Sequence, residues 1–253
     1  MEHFTLTRDG DVLVATMARG KANAVNAPML EELHQAVAQA RDDRAVRAFV
    51  LASASTRFFS GGFDLGEVFA YDDGPMRRFF DRFVSLLDTL RTLPKGTVAA
   101  VSGHAYAGGA LLALACDFRV MADGEAGFAI NEVNLGLVLP LEGTRWMVPL
   151  LGGAARELLL GGLPITPQRA LQVGLASTLA PAEDVRDRAL ALARTLAEKP
   201  PVAFAAIKRG VLEASGGVET VEDRRAFVGD FMKYWLGDES RARRRAALAS
   251  MKR

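Results

Sequence analysis

The sequence of 253 residues has one cysteine, three histidines and almost no net charge. Cys116 has no second cysteine with which to form a disulfide within the chain, so a disulfide-stabilised secreted scaffold is excluded. Because 31 basic residues are matched by 30 acidic ones, the composition gives no electrostatic basis for binding nucleic acid or a membrane surface.

Targeting and membrane-spanning patterns are also missing. The start of the chain, Met1 to Phe4, lacks the basic and apolar regions of a secretory leader, and we predict an unprocessed, cytoplasmic protein. The apolar stretch from Val98 to Cys116 is long enough to cross a membrane, but glycines and polar residues interrupt its middle. A buried strand, a glycine loop and a buried helix explain this stretch better than a transmembrane helix.

Strand-like and helix-like segments alternate through the first 140 residues. Asp9-Gly10 separates two β-rich runs and predicts a hairpin at the start of the fold. Beyond Gly143 the strand signals nearly vanish, and Pro200-Pro201 interrupts the helical pattern that follows. We therefore predict an α/β fold, with a core over residues 1–198 and a C-terminal helical region over residues 199–253.

Two glycine-containing segments each follow a predicted strand, namely residues 60–65 and residues 103–112. Glycine allows a sharp turn, and the first amides of a following helix have no internal acceptor. Such amides can stabilise a developing negative charge. Neither segment matches a dinucleotide or Walker phosphate-binding motif, and ordinary strand-to-helix turns are the alternative interpretation of each.

A third segment places one carboxylate, Glu132, within the largely apolar run of residues 129–140. A carboxylate in such surroundings is either an exposed residue or a group retained for acid–base chemistry. Spacing alone does not decide between these two interpretations.

Together the three segments resemble the crotonase, or enoyl-CoA hydratase/isomerase, superfamily. Residues 59–65 are similar to its F-x-[AS]-G-x-D-[IL] motif, with Gly61 in place of the usual alanine or serine. Residues 103–117 are similar to G-x-A-x-G-G-G-x-x-L-A-x-x-C-D, with Ala107 at the first glycine of the triplet. Residues 128–136 resemble F-x-x-x-E-x-x-L-G, and the resemblance extends over essentially the whole chain.

This resemblance implies a spiral of stacked β-β-α turns and a C-terminal helical region that builds trimers or hexamers. It also implies an acyl-coenzyme A thioester as substrate, with no metal and no further cofactor. In this family two backbone amides hold the thioester oxygen, and by position these belong to Phe63 and Gly108. Two such donors would stabilise the enolate that forms when a proton next to the thioester is removed.

The resemblance also implies a set of binding residues. The family contacts adenine and pantetheine at the positions of Lys21, Ala22 and Asn23, for which a solvated loop is the alternative. The remaining candidates lie in the first glycine segment and are Ser60, Gly61, Asp64 and Leu65. For Asp64 a helix cap is the simpler interpretation.

The reaction is predicted from a departure at Leu111. Hydratases of this family use two glutamates, at the positions of Leu111 and Glu132, because they activate water and protonate carbon. Moving a double bond requires one base that takes a proton and returns it elsewhere. Asn131-Glu132 also resembles the mitochondrial-type Δ3,Δ2-enoyl-CoA isomerases. We predict an isomerase that converts 3-enoyl-CoA to 2-enoyl-CoA, with Glu132 as the base.

Several alternatives stay open. Glu142, in the loop after the third motif, is a second candidate for the base or its partner, or else a solvated turn residue. The reaction could instead be hydration or another enolate reaction on an acyl-CoA. A non-catalytic acyl-CoA-binding module that lost one glutamate is equally compatible with Leu111.

The C-terminal region carries a basic run and a set of spaced aromatic residues. Four arginines could contact the phosphates of coenzyme A, and they are Arg241, Arg243, Arg244 and Arg245. A solvated helix face is the simpler interpretation of this run. Four aromatic residues follow helical spacing and predict a packing face between the C-terminal helices or between subunits. They are Phe227, Phe231, Tyr234 and Trp235.

Overall fold

The computed structural model describes residues 1–139, 141–217 and 220–251 of the protein. The strands within these residues are β1 (Phe4–Asp9), β2 (Val12–Met17), β3 (Ala48–Ser53), β4 (Phe58–Ser60), β5 (Gly96–Val101), β6 (His104–Tyr106), β7 (Phe118–Ala122), β8 (Phe128–Ala129) and β9 (Thr178–Ala180). They form a six-stranded sheet in the order β1-β2-β3-β5-β7-β9 and a three-stranded sheet in the order β4-β6-β8.

The helices of the first part of the chain are α1 (Ala27–Asp42), α2 (Leu65–Val68), α3 (Asp73–Thr92) and α4 (Gly108–Leu114). Those that follow are α5 (Leu141–Leu151), α6 (Ala155–Leu159), α7 (Pro167–Gln172), α8 (Val185–Ala197), α9 (Pro201–Ala214), α10 (Val221–Trp235) and α11 (Asp238–Met251). Two 3-10 helices cover Glu132–Leu135 and Gly152–Ala154.

The sheets confirm the predicted α/β class. β1 and β2 pair antiparallel as the predicted hairpin, whereas the other described pairs are parallel. β5 is buried along its whole length, as expected of a parallel strand covered on both faces.

Each turn of the fold adds one strand to each sheet. β3, β5 and β7 join the large sheet, and each is followed by a strand of the small sheet, β4, β6 and β8. A helix then follows, which is α2, α4 or the 3-10 helix Glu132–Leu135. This arrangement confirms the predicted spiral of β-β-α turns. It also places the three motif segments at equivalent points of successive turns.

One expectation about the second half of the chain is wrong. Strand signals nearly vanish after Gly143, yet β9 extends the large sheet beside β7 with Ala122 opposite Ala180. β9 has three residues, which is too short for a periodic pattern. Its pairing depends on β7, more than fifty residues earlier in the chain.

The C-terminal helices fold back over the spiral of the same chain. α10 packs on α3, where the rings of Phe80 and Phe231 stack with centroids 3.6 Å apart. α11 packs against the 3-10 helix that contains Glu132. The predicted boundary between residues 198 and 199 falls between α8 and α9. In the described part of the chain, no helix is long and apolar enough to cross a membrane.

Candidate active site

The first glycine segment holds the amide of Phe63 in a fixed direction. Val25 donates its amide to the carbonyl of Gly62 at 2.7 Å, and Asp64 donates its amide to the carbonyl of Val25 at 2.8 Å. This is a parallel bridge between Val25 and Phe63, so the N–H of Phe63 points away from Val25. Among the described residues it has no acceptor, and it is available to a ligand.

The second glycine segment approaches the first so closely that side chains would collide. Gly62 has φ +91°, and a Cβ there would lie 3.0 Å from the carbonyl oxygen of Tyr106. A Cβ on Gly109 would lie 2.3 Å from the carbonyl oxygen of Ser60. Glycine at these two positions therefore allows the Phe63 loop to lie against the start of α4, where Gly108 is the first residue and its amide has no intrahelical acceptor.

Ala107, at the turn into α4, has a backbone conformation that L-residues rarely adopt. Its φ is 48° and its ψ is −125°, a region that costs a residue with a Cβ about 1–3 kcal/mol. Its amide donates to the carbonyl of Ala129 at 2.9 Å, which ties the turn to β8. The strain arises because alanine occupies a motif position at which the family has glycine.

Glu132 begins the 3-10 helix after β8, and Gly136 ends that helix with φ 64°. Its Oε2 atom is buried and has no hydrogen-bond partner among the described residues. Burial raises the pKa of the Glu132 carboxyl to about 7, although its own backbone N–H opposes the shift. A carboxyl with such a pKa exchanges its proton near neutral pH, as a general base requires.

A cavity of about 100 Å³ joins these groups, and we call it the acyl cavity. Phe63, Gly108 and Glu132 all line it, together with Gly61 and Leu65 of the predicted binding set. The rest of its lining is Val68, Phe69, Phe80, Ala107, Leu111, Asn131, Leu135, Leu137, Leu139, Phe231 and Trp235. Glu132 is the one carboxylate among these lining residues. Leu111 lies where a second glutamate was expected in a hydratase.

The other predicted binding residues lie at or below the surface of the first loop. Lys21 is exposed, and Ala22 accepts the Gly61 amide at 2.8 Å. Asn23 is 1% exposed, and its side chain donates to Ser53 Oγ at 2.8 Å and to the carbonyl of Phe59 at 3.1 Å. The structure therefore places the Asn23 side chain beneath the loop, where it supports the loop from inside.

Ser60 and Asp64 also hold the loop. The Ser60 hydroxyl is fully buried and donates to the carbonyl of Asn23 at 2.8 Å. Asp64 caps α2 through the amide of Glu67 and forms an ion pair with Arg19 at 2.7 Å. The cap confirms the simpler interpretation of Asp64. No local pattern indicated a role for Arg19, because its partner lies 45 residues away.

Glu142 and the aromatic residues of α10 lie in the second half of the chain. Glu142, the alternative base, lies at the start of α5, and its side chain is outside the described residues. Of the predicted aromatic face, Tyr234 is 51% exposed in the single chain. Phe231 and Trp235 are buried as expected, but they line the acyl cavity. Helical spacing indicated that they share a face and did not indicate what that face contacts.

Comparison with known proteins agrees with this geometry. Residues 7–238 match the family model described as enoyl-CoA hydratase/isomerase. The chain belongs to this family. It is therefore an acyl-CoA enzyme of the crotonase superfamily, and the predicted resemblance is confirmed.

Relatives within the family differ in their named reactions. The chain is 35% identical over 208 residues to carnitinyl-CoA dehydratase of Escherichia coli K12, covering 82% of this chain and 79% of that protein. Its structure resembles human mitochondrial Δ3-Δ2-enoyl-CoA isomerase with a TM-score of 0.92, 26% identity and coverage of 99% and 98% of the two chains. An enoyl-CoA hydratase from Mycobacterium ulcerans has a TM-score of 0.81 at 28% identity, with coverage of 92% and 99%.

Proposed function

We propose that the protein shifts the double bond of 3-enoyl-CoA thioesters to give 2-enoyl-CoA. The observation that supports this most directly is the buried Glu132 carboxyl, which faces the acyl cavity with Leu111 in place of a second glutamate. Among the described residues the cavity has one proton-exchanging group and an otherwise largely apolar lining, which suits a reaction that moves one proton and adds nothing.

The proposed reaction begins when the thioester oxygen accepts hydrogen bonds from the amides of Phe63 and Gly108. Ionised Glu132 removes a proton from carbon 2, and the electron pair delocalises over carbons 2 to 4 and the oxygen as a dienolate. Glu132 then returns the proton to carbon 4, so the double bond lies between carbons 2 and 3. The two amides stabilise the negative charge on the thioester oxygen when that charge is greatest. Losing one such donor typically raises the activation barrier by about 2.7–4 kcal/mol.

A pKa of about 7 for Glu132 fits both halves of this cycle. Near neutral pH both the carboxylate that removes the proton and the carboxyl that returns it are then populated. The raised pKa makes the carboxylate a stronger base than an ordinary glutamate, and the carboxyl is still acidic enough to return the proton to carbon 4. The apolar neighbours Leu111 and Leu137 limit exchange of that proton with water.

Hydration or dehydration of an acyl-CoA is the second candidate. The names of the relatives from Escherichia coli and Mycobacterium ulcerans support it. Activating water and protonating carbon is usually divided between two groups, and the described lining of the acyl cavity offers one carboxylate. The isomerase proposal is therefore the better supported of the two.

The deciding experiment offers the protein a panel of 3-enoyl-CoA and 2-enoyl-CoA substrates. Isomerisation raises the absorbance of the conjugated enoyl thioester, whereas hydration of 2-enoyl-CoA lowers it. We expect the first signal, and we expect Glu132→Gln to reduce it by about 10³-fold while acyl-CoA binding is retained. Glu125→Gln changes an exposed glutamate and should have no effect.

Two results would contradict the proposal. Binding of acyl-CoA with no shift of any 3-enoyl-CoA would indicate a non-catalytic binding module. Loss of 2-enoyl-CoA absorbance without isomerisation would indicate a hydratase.

We also infer that the chain self-associates as a trimer or hexamer. The support is a set of large apolar side chains that are exposed in the single chain, among them Leu160 at 73%, Ile207 at 68% and Val211 at 57%. Ile207 and Val211 also line one apolar groove, and exposed apolar patches are typical of surfaces that a partner covers. A cytoplasmic location stays a prediction.

A further inference from the structure

A second cavity, of about 500 Å³, adjoins the acyl cavity, and we call it the arginine cavity. Its lining includes Phe69, Asp72, Asp73, Trp235, Arg241, Arg244 and Arg245. Phe69 and Trp235 also line the acyl cavity, and their ring centroids lie 5.7 Å apart. The two cavities therefore share a wall that consists of two aromatic rings.

Arg244 is buried behind this wall, with 8% of its surface exposed. Its guanidinium lies 3.7 Å from the centroid of the Trp235 ring and 5.4 Å from that of Phe69. It donates to the carbonyls of Trp235 at 2.6 Å and Ser240 at 3.4 Å. The expectation of a solvated helix face is therefore wrong for Arg244, because α11 turns this side chain toward the aromatic wall.

No carboxylate pairs with Arg244 within the described part of the chain. Burial and the neighbouring Arg241 and Arg245 lower the pKa of its guanidinium. Burying an arginine without a counter-ion costs free energy, because the charge loses its hydration and gains no opposite charge in return. An anion delivered by a ligand would complete the coordination of this group.

The charges around the arginine cavity favour an anion. Two of its charged groups are already paired at the surface, Asp73 with Arg77 at 3.8 Å and Arg241 with Asp238 at 3.8 Å. Arg245 is exposed and, like Arg244, has no carboxylate partner in the described residues. Two guanidinium groups thus remain to bind an anion, and Asp72 is the one unpaired lining group of opposite sign.

We propose that the arginine cavity binds a carboxylate at the far end of the acyl chain, so that the substrates are mono-CoA thioesters of unsaturated dicarboxylic acids. The inference rests on the proposed function, which places the acyl chain in the acyl cavity beside Glu132. The two aromatic rings of the shared wall are in contact at 5.7 Å between centroids, so the end of the acyl chain reaches Arg244 and Arg245 when the half-buried Phe69 ring rotates away from Trp235. A guanidinium binds a carboxylate through two parallel hydrogen bonds.

The test compares binding of saturated thioesters, which cannot isomerise. Calorimetry measures the binding of matched pairs of thioesters of equal chain length to the protein. One member of each pair is the mono-CoA thioester of a six- to twelve-carbon dicarboxylic acid, and the other is the corresponding fatty acyl-CoA. We expect the carboxylated thioester of at least one length to bind about tenfold more tightly than its partner. Arg244→Gln and Arg245→Gln should remove that difference, and Arg244→Lys should restore part of it.

Arg243→Gln is the control, because Arg243 lies on the same helix but pairs with Glu239 at 3.1 Å and does not line the cavity. If Arg244→Gln fails to fold, the exposed Arg245 still tests the proposal. Equal binding of both thioesters at every length overturns the inference and leaves the isomerase proposal intact.

Two other outcomes also overturn it. Equal weakening of both thioesters and of free coenzyme A by the arginine variants would show that the arginines bind the coenzyme phosphates. Failure of every thioester to bind would overturn the inference and the proposed function together.

Discussion

Glu132 combines two properties that oppose each other. Its carboxyl is buried beside leucine side chains, which raises its pKa to about 7 from the ordinary 4.5. The same burial penalises the ionised form that acts as the base. Activity and stability should therefore respond to pH in opposite directions.

We expect kcat/KM for isomerisation to rise with pH through about 7 and then to level off, because only ionised Glu132 removes the proton. Since the native carboxyl binds its proton more tightly than the unfolded one, the free energy of unfolding should fall between pH 4.5 and about 7, by about 3 kcal/mol. Glu132→Gln should lack this fall. Urea unfolding at several pH values measures it, and equal pH dependence of the two proteins would contradict the assignment.

Ala107 is the second residue with an unusual state. With φ 48° and ψ −125°, it is strained by its Cβ, and glycine would relieve the strain at the cost of a more flexible unfolded chain. We expect Ala107→Gly to increase the free energy of unfolding by about 1 kcal/mol, as measured by urea denaturation.

Ala105 provides the matched control for this substitution, because it is fully buried in β6 and has no positive φ. Ala105→Gly should destabilise the protein by about 1 kcal/mol. If both substitutions destabilise, strain at Ala107 is not a significant part of the stability.

At the scale of elements, the Phe63 loop depends on contacts between distant segments. Arg19 donates to the carbonyl of Ala24 at 2.7 Å and pairs with Asp64 at 2.7 Å. It thereby connects the turn after β2 to the cap of α2, directly beside Phe63. Arg19 is thus a positioning residue for the Phe63 amide, which in the proposed reaction binds the thioester oxygen.

We expect Arg19→Gln to lower kcat about tenfold with little change in KM, because a misplaced amide stabilises the enolate less but leaves coenzyme A contacts unchanged. The loss of stability should stay below about 1 kcal/mol, since the pair is partly exposed. Steady-state kinetics tests this. Arg8→Gln, which removes an exposed pair with Asp43, should change neither parameter, and an effect of Arg19→Gln on KM alone would refute the positioning role.

The elements differ in how far the sequence predicted them. Strands such as β5 were predictable because a strand buried on both faces is a continuous apolar run. β9 was not, because its three residues form a strand only beside β7. Glu132 and the glycine loops were visible as motifs, whereas Arg19 and Arg244 have roles set by partners or surroundings that no local pattern contains.

At the scale of the whole molecule, the C-terminal helices of the chain close its own acyl cavity. Phe231 and Trp235 of α10 line that cavity, and α11 packs on the 3-10 helix of Glu132. On this side the cavity is therefore lined by helices of the same chain. α9 is different, because Ile207 and Val211 lie one turn apart on its exposed face and line an apolar groove of about 320 Å³.

This difference predicts that subunit contacts involve α9 and leave the acyl cavity intact. Light scattering after gel filtration should give three or six times the chain mass of 27.2 kDa. Ile207→Asp should shift the mass toward that of one chain, because a buried, unpaired carboxylate disfavours association. Arg209→Gln, an exposed change on the same helix, should not shift the mass.

A monomeric unsubstituted protein would contradict self-association. A monomeric Ile207→Asp variant that still binds acyl-CoA would show that each chain contains a whole site.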